Sequence, residues 1–314
     1  MIARLLGIGV CFWGLGQVYY QATDGFMVQN IEADFSEKKE WNVRPLSSDE
    51  EKRLREILAQ PYRYLGKGCQ SYVFASDDGQ YVVKFFKYHR YRTKPWVEAL
   101  SFIPQMEAKR ERRVKHKMEK LDRFYQSWEV AFNHLQEETA LEYVQLNKRK
   151  GLEMQMTIYD KIGVPHTIDL DQLEFCVQKR GEMFDAVLQN LVKRGELEKA
   201  KKLLTAVLEQ MQEELRRGLI DRDYALRQNT GVIDGKPVHL DIGQFMYDEH
   251  VKEEAVAKQA IFNKTYKFRS CVREISEPLS DHFEAELQKI LGDDIHTMVP
   301  YFAQNGYLNT TSPA

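Results

Sequence analysis

The feature that most constrains the fold of this chain is the stretch from Gly218 to Phe245, which reads Gly-Leu-Ile-Asp-Arg-Asp-Tyr-Ala-Leu-Arg-Gln-Asn-Thr-Gly-Val-Ile-Asp-Gly-Lys-Pro-Val-His-Leu-Asp-Ile-Gly-Gln-Phe. Two short apolar runs, 232–233 and 238–240, flank an Asp-Gly pair. Because both residues of such a pair tolerate positive φ, the pair favours a tight turn, and the runs are predicted to form a β-hairpin. The hairpin is expected to bring Asn229 and Asp241 to the same end.

A carboxylate and a carboxamide held close together suit a hard divalent cation. Mg²⁺ in particular takes few protein ligands and fills its shell with water and substrate phosphates. Asn229 and Asp241 are therefore candidate metal ligands, and Asp223 lies beside them as a candidate base. The alternative is an ordinary solvated hairpin in which Asp and Asn act as turn formers.

A second pattern, upstream, combines a glycine-rich turn with a strand that carries one lysine. Gly66 and Gly68 allow the backbone to approach a ligand closely and to direct N–H groups at phosphate oxygens. In an extended strand Lys84 shares one face with Val82, and Val73 is expected to cover the same surface. The alternative for Lys84 is a charge on an edge strand that discourages aggregation.

In their order along the chain, these parts resemble the ATP-binding and catalytic segments of the protein-kinase-like fold. In that family a Gly-rich loop and a strand lysine precede an Arg-Asp pair, an Asn and an Asp-x-Gly triplet. The resemblance implies that Lys84 holds the nucleotide phosphates and that Asp223 orients the acceptor hydroxyl. It also implies that Asn229 and Asp241 hold Mg²⁺.

The match departs from the family pattern at several positions. Asp221 stands in the place of the family's His, and Ile242 replaces the Phe of the metal-binding triplet. Ser71 replaces the third glycine of the loop, and Asn229 follows Asp223 by six residues where the family has five. The departures motivate a second hypothesis, a pseudokinase that binds nucleotide or a partner without efficient catalysis.

The resemblance also implies partners for the nucleotide outside these motifs. A long amphipathic helix is predicted from Trp128 to Leu146, and by resemblance it carries the glutamate that pairs with Lys84. Helix periodicity leaves Glu137 and Glu138 as equal candidates, and the backbone from Gln178 to Gly181 is the expected adenine-binding hinge. The expected nucleotide-binding residues are Gly66, Gly68, Ser71, Val73, Val82, Lys84, Glu137, Glu138 and Gln178.

The fold class implied by the resemblance is α+β, with two lobes. The N-lobe, residues 61–178, is expected to hold a five-stranded antiparallel sheet with a helical insertion after the third strand. Residues 156–159 and 175–178 are expected to supply its last two strands. The C-lobe, residues 179–314, is expected to be mostly helical. A chain of 314 residues with 43% hydrophobic content can bury a core of this size.

Helices are predicted in the C-lobe from periodicity. Apolar residues recur at three- and four-residue steps from Leu197 to Leu215, which predicts a buried helix that leads into the hairpin stretch. Two further helices are predicted near 249–273 and 280–291. Since this leaves no long activation segment after Tyr247, the chain is more similar to lipopolysaccharide, aminoglycoside and other small-substrate kinases than to regulated protein kinases.

The insertion, residues 87–120, is the most basic part of the chain. Its helical composition from Met106 to Leu121 predicts a solvated helix, and such a run is commonly an exposed face. The functional alternative is contact with anionic lipid, a phosphosugar or nucleic acid, of which nucleic acid is the least favoured. A third hypothesis follows, a basic membrane-surface or nucleic-acid-binding protein without nucleotide chemistry.

The N-terminal segment, residues 1–22, contains an apolar run from Leu5 to Gly16. The run is shorter than the roughly 20 residues of a membrane span, so signal peptide, anchor and buried segment all stay open. Arg4 precedes it and acidic residues follow, which by the positive-inside rule directs the bulk of the chain away from the cytoplasm. The chain is therefore expected to be membrane-associated or exported, with its catalytic domain in a nucleotide-containing compartment.

Residues 23–60 are predicted to be a linker with one short helix, which starts at a capping box at Ser47 or Ser48 and ends near Ala59. The cysteines show no metal-ligand spacing, and neither a disulfide framework nor a zinc site is expected from Cys11, Cys69, Cys176 and Cys271.

The favoured activity is ATP- and Mg²⁺-dependent phosphoryl transfer to a hydroxyl of a sugar, a lipid-linked saccharide or another small substrate.

Overall fold

The computed structural model describes residues 14–33, 35–94, 97, 102–148 and 152–301. The chain is α+β, with 54% helix and 19% strand. It divides into two compact units: unit 1 comprises Met1–Asn133 and Leu141–Arg180, and unit 2 comprises His134–Ala140 and Gly181–Ala314. The segment from His134 to Ala140 belongs to unit 2 although unit 1 resumes after it in the sequence.

Unit 1 is built on one mixed sheet. Its strands are β1 (Tyr62–Lys67), β2 (Ser71–Ser76), β3 (Tyr81–Phe86), β4 (Leu141–Gln145), β5 (Gln155–Tyr159), β6 (Pro165–Asp169) and β7 (Phe175–Lys179). The seven strands are ordered β4-β7-β3-β2-β1-β5-β6. All neighbours pair antiparallel except β1 and β5, which pair parallel.

The sheet therefore differs from the predicted five-stranded antiparallel sheet. The two predicted strands at 156–159 and 175–178 are present as β5 and β7. Strand β6 was not predicted because Pro-His-Thr-Ile-Asp shows little apolar alternation, and it forms by pairing with β5. Strand β4 occupies a stretch that was predicted to be helical.

The predicted single helix from Trp128 to Leu146 is wrong. Helix α1 spans Ser48–Leu58, helix α2 spans Pro104–His134 and helix α3 is a single turn, Gln136–Thr139. Ala140, at φ 51°, ends α3 in the left-handed region, and β4 follows directly. The spacing of Leu141, Val144 and Leu146 fits a helix as well as a strand, so periodicity could not separate the two.

Helix α2 has two parts with different surroundings. Its first part contains the predicted basic helix, and the exposed residues there include Lys109, Arg112, Arg113, Lys115 and Lys120. Its second part packs against the sheet through an aromatic cluster in which Phe86 of β3 lies 5.0 Å from Phe124 and 5.5 Å from Trp128, measured between ring centroids.

The predicted linker is largely packed into unit 1. Helix α1 begins with the predicted capping box, since the Ser47 side chain accepts the Glu50 N–H and the Glu50 carboxylate accepts the Ser47 N–H. Before it, Phe26, Ile31 and Trp41 are buried. Isolated apolar residues without a period leave no pattern, which is why the sequence predicts a linker for a segment that is packed.

Unit 2 is mostly helical. Its longer helices are α4 (Phe184–Lys193), α5 (Leu197–Arg216), α7 (Glu254–Ile275) and α8 (Glu277–Leu291), with a one-turn helix α6 (Leu226–Asn229) between α5 and α7. Its strands are β8 (Glu182–Met183), β9 (Leu219–Asp221), β10 (Thr230–Ile233), β11 (Lys236–His239) and β12 (Phe245–Tyr247). The predicted helices are confirmed, and α5 buries Ala200, Leu204, Val207, Leu208, Met211 and Leu215 in the core of this unit.

Short 3₁₀ segments complete the described elements: Val28–Asn30, Lys39–Trp41, Tyr88–Arg90, Leu170–Gln172, Glu249–Lys252 and Gly292–His296. Most of the apolar run from Leu5 to Gly16 lies outside the described residues, and residues 14–22 are helical. Among the described helices, none combines the length and apolar character needed to cross a membrane.

Candidate functional site

The predicted hairpin in unit 2 is confirmed. Asp234 and Gly235 form its two-residue turn with φ of 50° and 76°, as the Asp-Gly pair requires. The register places Thr230 opposite His239. At the open end of the hairpin, the carbonyl oxygen of Asn229 accepts the N–H of Leu240 at 2.7 Å and that of Asp241 at 3.4 Å. Asn229 and Asp241 therefore lie side by side, as expected.

Asp223 is fixed by the turn that precedes helix α6. The N–H of Asp223 donates to Oδ1 of Asp221 at 3.0 Å, and the N–H of Ala225 donates to Oδ1 of Asp223 at 2.9 Å. Two successive Asx turns thus hold the backbone and the Asp223 carboxylate. Helix α6 then runs from this turn to Asn229, so local structure joins Asp223 to the base of the hairpin.

The side chains at the base of the hairpin offer oxygen ligands. Asn229 is buried, and its Nδ2 atom has no hydrogen-bond partner among the described residues. The unpaired atom is an N–H donor, which cannot bind a cation but could donate to a ligand oxygen; the Oδ1 atom of the same amide is the candidate metal ligand. A carboxamide next to the carboxylate of Asp241 is a donor set that Mg²⁺ accepts. Within the described residues, no group of three or more His, Cys, Asp or Glu side chains could hold a metal ion.

Lys264 was not predicted as part of the site. It lies on the buried face of helix α7, and its ammonium group donates to the Asp221 carboxylate and to the backbone carbonyl of Asp223. Asp221 thus belongs to a buried ion pair. The sequence gives no signal for this pair, because Asp221 and Lys264 lie far apart along the chain.

A second ionic pair lies in the same region of unit 2. Nε2 of His239 is 2.6 Å from Oε1 of Glu214, and Nε2 of Gln210 donates to that oxygen at 3.0 Å. Burial alone would raise the pKa of the Glu214 carboxyl, but the charges of His239 and Lys264 and these hydrogen bonds lower it. Both pairs line a cavity of about 30 Å³, which is room for about one water molecule.

The unit 1 residues of the predicted site centre on Lys84. Strand β3 lies between β2 and β7, so the alternative of an edge-strand charge is wrong. Lys84 pairs with Val73 across the β2–β3 ladder, and Val82 lies two residues away on the same face. The side chain is only 8% exposed, and its ammonium lies 5.8 Å from the centroid of the Trp128 ring. A buried lysine on a central strand is uncommon, because lysine side chains are almost always exposed.

The glycine-rich turn is held by cations. The ammonium of Lys87 donates to the carbonyl of Gly68 at 2.6 Å, and the guanidinium of Arg90 donates to the carbonyl of Cys69. Burial, followed by the charges of Lys67 and Arg90, lowers the pKa of Lys87 to about 8.

Both glycines of the turn face open space. A Cβ atom at Gly66 would meet nothing within 4 Å, and one at Gly68 would meet only Oγ of Ser71 at 4.0 Å. The N–H of Gly68 donates to the carbonyl of Ser71 at 3.0 Å, which closes the turn. The space beside the turn is compatible with a ligand that approaches the backbone.

The structure places the two candidate glutamates outside a long helix. Both lie in the one-turn helix α3 of unit 2, where Glu137 is exposed and Glu138 pairs with Arg217. Gln178, the first predicted hinge residue, is fully buried and lies opposite Val82 on the neighbouring strand. The pairing of either glutamate with Lys84 and the role of the hinge stay predictions.

Neither protein-family models nor curated proteins give a match to this sequence. The resemblance to kinases therefore depends on the residues described above.

Proposed function

We propose that this chain is a kinase-like phosphotransferase that moves the terminal phosphoryl group of ATP to a hydroxyl group of a sugar, a lipid-linked saccharide or another small substrate. The observation that carries the proposal is the base of the hairpin in unit 2, where Asn229 and Asp241 lie side by side and a hydrogen-bonded turn and one helical turn connect them to Asp223. The buried Lys84 and the open glycine-rich turn in unit 1 support the same proposal.

Each residue has a definite task in this reaction. Asp223 accepts the proton of the acceptor hydroxyl, whose oxygen forms a new bond to the γ-phosphorus as the bond to the ADP oxygen breaks. Asn229 and Asp241 are the residues that would hold Mg²⁺, which when bound neutralises charge on the phosphate oxygens. Lys84 contributes a further positive charge to the phosphates. Since such transfer depends mainly on positioning and charge, these groups are sufficient.

The short connection after the site supports a small acceptor. Strand β12 ends at Tyr247, and helix α7 begins at Glu254 after a 3₁₀ segment. In the part of the chain that the structure describes, no long segment between these elements could bind a protein substrate in the manner of an activation loop.

A pseudokinase is the second candidate, and the Asp221–Lys264 pair favours it. Asp221 stands where the resemblance implies a His, and it pairs with the ammonium of Lys264, which also donates to the carbonyl of Asp223. Such a departure from the family pattern beside the candidate base is compatible with binding of nucleotide without turnover.

Thermal unfolding with and without Mg-ATP, together with release of ADP, tests the proposal. The intact chain is expected to be stabilised by Mg-ATP, and Lys84→Ala and Asp241→Ala are expected to lose this stabilisation. The matched controls Lys109→Ala and Asp293→Ala change exposed residues and should behave like the intact chain. Stabilisation without ADP release on any hydroxyl acceptor would identify a pseudokinase.

The absence of any nucleotide effect would reject both candidates. Salt-sensitive binding through residues 87–120 would then favour the basic-surface hypothesis.

A further inference from the structure

A rigid turn at residues 160–164 connects strands β5 and β6 of unit 1. Oδ1 of the buried Asp160 accepts the N–H groups of Ile162 and Val164 at 3.1 and 2.9 Å. The N–H of Asp160 also donates to the carbonyl of Val164 at 3.0 Å, and Gly163 adopts a left-handed φ of 84°. The aspartate therefore fixes the turn from within and keeps the two apolar residues in defined positions.

The helical residues 14–22 are bonded to this turn. The hydroxyl of Tyr19 donates to Oδ2 of Asp160 at 2.8 Å, and the ammonium of Lys161 donates to Oδ1 of Asp24 at 3.0 Å. The hydroxyl of Tyr72, on β2, donates to the carbonyl of Gly25 at 2.5 Å. The C-terminal end of this helical segment is thus fastened both to the turn and to the sheet.

Four apolar side chains around this junction are exposed to solvent. Leu15 and Val18 are 66% and 65% exposed, and Ile162 and Val164 are 52% and 40% exposed. Leu15 shares a helix face with Val18 and Tyr19, because residues three and four apart are neighbours, and it lies about 6 Å along the axis from Tyr19. Leu15, Val18, Ile162 and Val164 are called the junction patch below. The hydrogen bond between Tyr19 and Asp160 brings the two exposed pairs to one junction, and exposed apolar side chains grouped in this way mark a contact surface.

The sequence indicates what covers the junction patch. Residues 5–13 read Leu-Leu-Gly-Ile-Gly-Val-Cys-Phe-Trp and lead into the patch, and Arg4 is the only charged residue before Asp24. A partner for so continuous an apolar stretch is hydrocarbon rather than a hydrated surface. Tyr19 and Tyr20 lie where apolar residues give way to charged ones, which is the position that tyrosines prefer at a membrane interface.

We propose that the junction patch contacts a phospholipid bilayer, with Ile162 and Val164 entering the headgroup region. A single contact through the N-terminal residues would leave unit 1 free to rotate relative to the membrane. A second contact through a turn that is hydrogen-bonded to the same helical segment fixes its orientation at the membrane. This inference does not depend on phosphoryl transfer.

A fluorophore at position 162 tests the proposal. In the full chain with Cys11→Ser and Cys69→Ser, Ile162→Cys is labelled with an environment-sensitive nitrobenzoxadiazole dye, while Cys176 and Cys271 are buried. With phosphatidylcholine vesicles, the chain is expected to float, and the label is expected to shift its emission to the blue and to be quenched by spin-labelled lipid. The matched control is Val256→Cys, an exposed apolar position in unit 2, where neither change is expected.

Three results would overturn the proposal. The first is a chain that does not float with the vesicles. The second is a chain that floats while the label at 162 keeps its aqueous emission, since residues 5–13 would then bind lipid without the turn. The third is blue-shifted emission without vesicles: if it grows with protein concentration, a second copy covers the patch, and if it does not, another part of the same chain covers it.

Discussion

The ammonium group of Lys264 joins helix α7 to the Asp221 carboxylate and to the carbonyl of Asp223, and the side chains of Lys264 and Asp221 are only 7% and 5% exposed. The buried ion pair therefore holds the turn that carries Asp223, the candidate base. Removal of one partner of such a pair leaves an uncompensated charge, whereas removal of both is often tolerated.

Lys264→Met is expected to lower the free energy of unfolding by about 3 kcal/mol, because it leaves the Asp221 carboxylate buried without its cation. The double variant Asp221→Asn/Lys264→Met, which keeps an oxygen acceptor for the Asp223 N–H while it removes the charge, should recover most of this loss. Urea unfolding measures both, and Lys267→Met, an exposed change on the same helix, serves as the control. A double variant no more stable than Lys264→Met would show that the carboxylate is not the source of the penalty.

The stability of unit 1 is expected to fall as the pH rises from about 4.5 to 7. Burial raises the pKa of Glu174 from 4.5 to about 7, although the hydroxyl of Tyr88 hydrogen-bonds to it. The folded state therefore holds this proton more tightly than the unfolded state, and the stabilisation present below pH 4.5 is lost as the pH passes 7.

Glu174→Gln should remove this dependence and stabilise the protein at pH 8 by on the order of 2 kcal/mol. Urea unfolding at pH 5 and pH 8 checks the expectation, with the exposed Glu56→Gln as control. Parallel pH profiles for Glu174→Gln and the intact chain would rule out Glu174 as the titrating group.

The hydrogen bond from Lys87 to the carbonyl of Gly68 is expected to order the glycine-rich turn. Lys87→Met removes this bond, which is worth about 1 kcal/mol, so hydrogen exchange across residues 66–70 should accelerate by about fivefold. Mass spectrometry of peptides that cover these residues measures the rate. The exposed Lys94→Met should leave it unchanged, and equal protection in Lys87→Met would mean that the turn is ordered by other contacts.

The parts of the molecule that were predicted from sequence are those with local causes. The Asp-Gly turn follows from the positive φ that Asp234 and Gly235 adopt, and helix α5 follows from its apolar period. The ion pair between Asp221 and Lys264 joins residues far apart in sequence, and the sequence around each residue does not indicate its partner. Strand β4 depends in the same way on its partner β7, which sets its register across the sheet.

Gly231, in strand β10, is expected to tolerate no larger residue, because a Cβ atom there would lie 2.6 Å from Cδ1 and 2.8 Å from Cγ of Leu240 and 2.9 Å from the carbonyl oxygen of Glu182. The carbonyl belongs to the paired strand β8 and cannot move away without loss of the ladder. Gly231→Ala should therefore cost about 2 kcal/mol of unfolding free energy. It should also weaken any stabilisation by Mg-ATP, since Leu240 adjoins Asp241.

Gly66→Ala, where the added methyl meets open space, is the control and should change stability by less than about 0.5 kcal/mol. Urea unfolding measures the free energy of unfolding of both variants. If Gly231→Ala is as stable as Gly66→Ala, then β8 and Leu240 shift to accommodate the added methyl group. Close packing at Gly231 would then not be needed for the structure at the base of the hairpin. If only Gly231→Ala is destabilised, close packing among β10, β8 and Leu240 contributes to the stability of the hairpin.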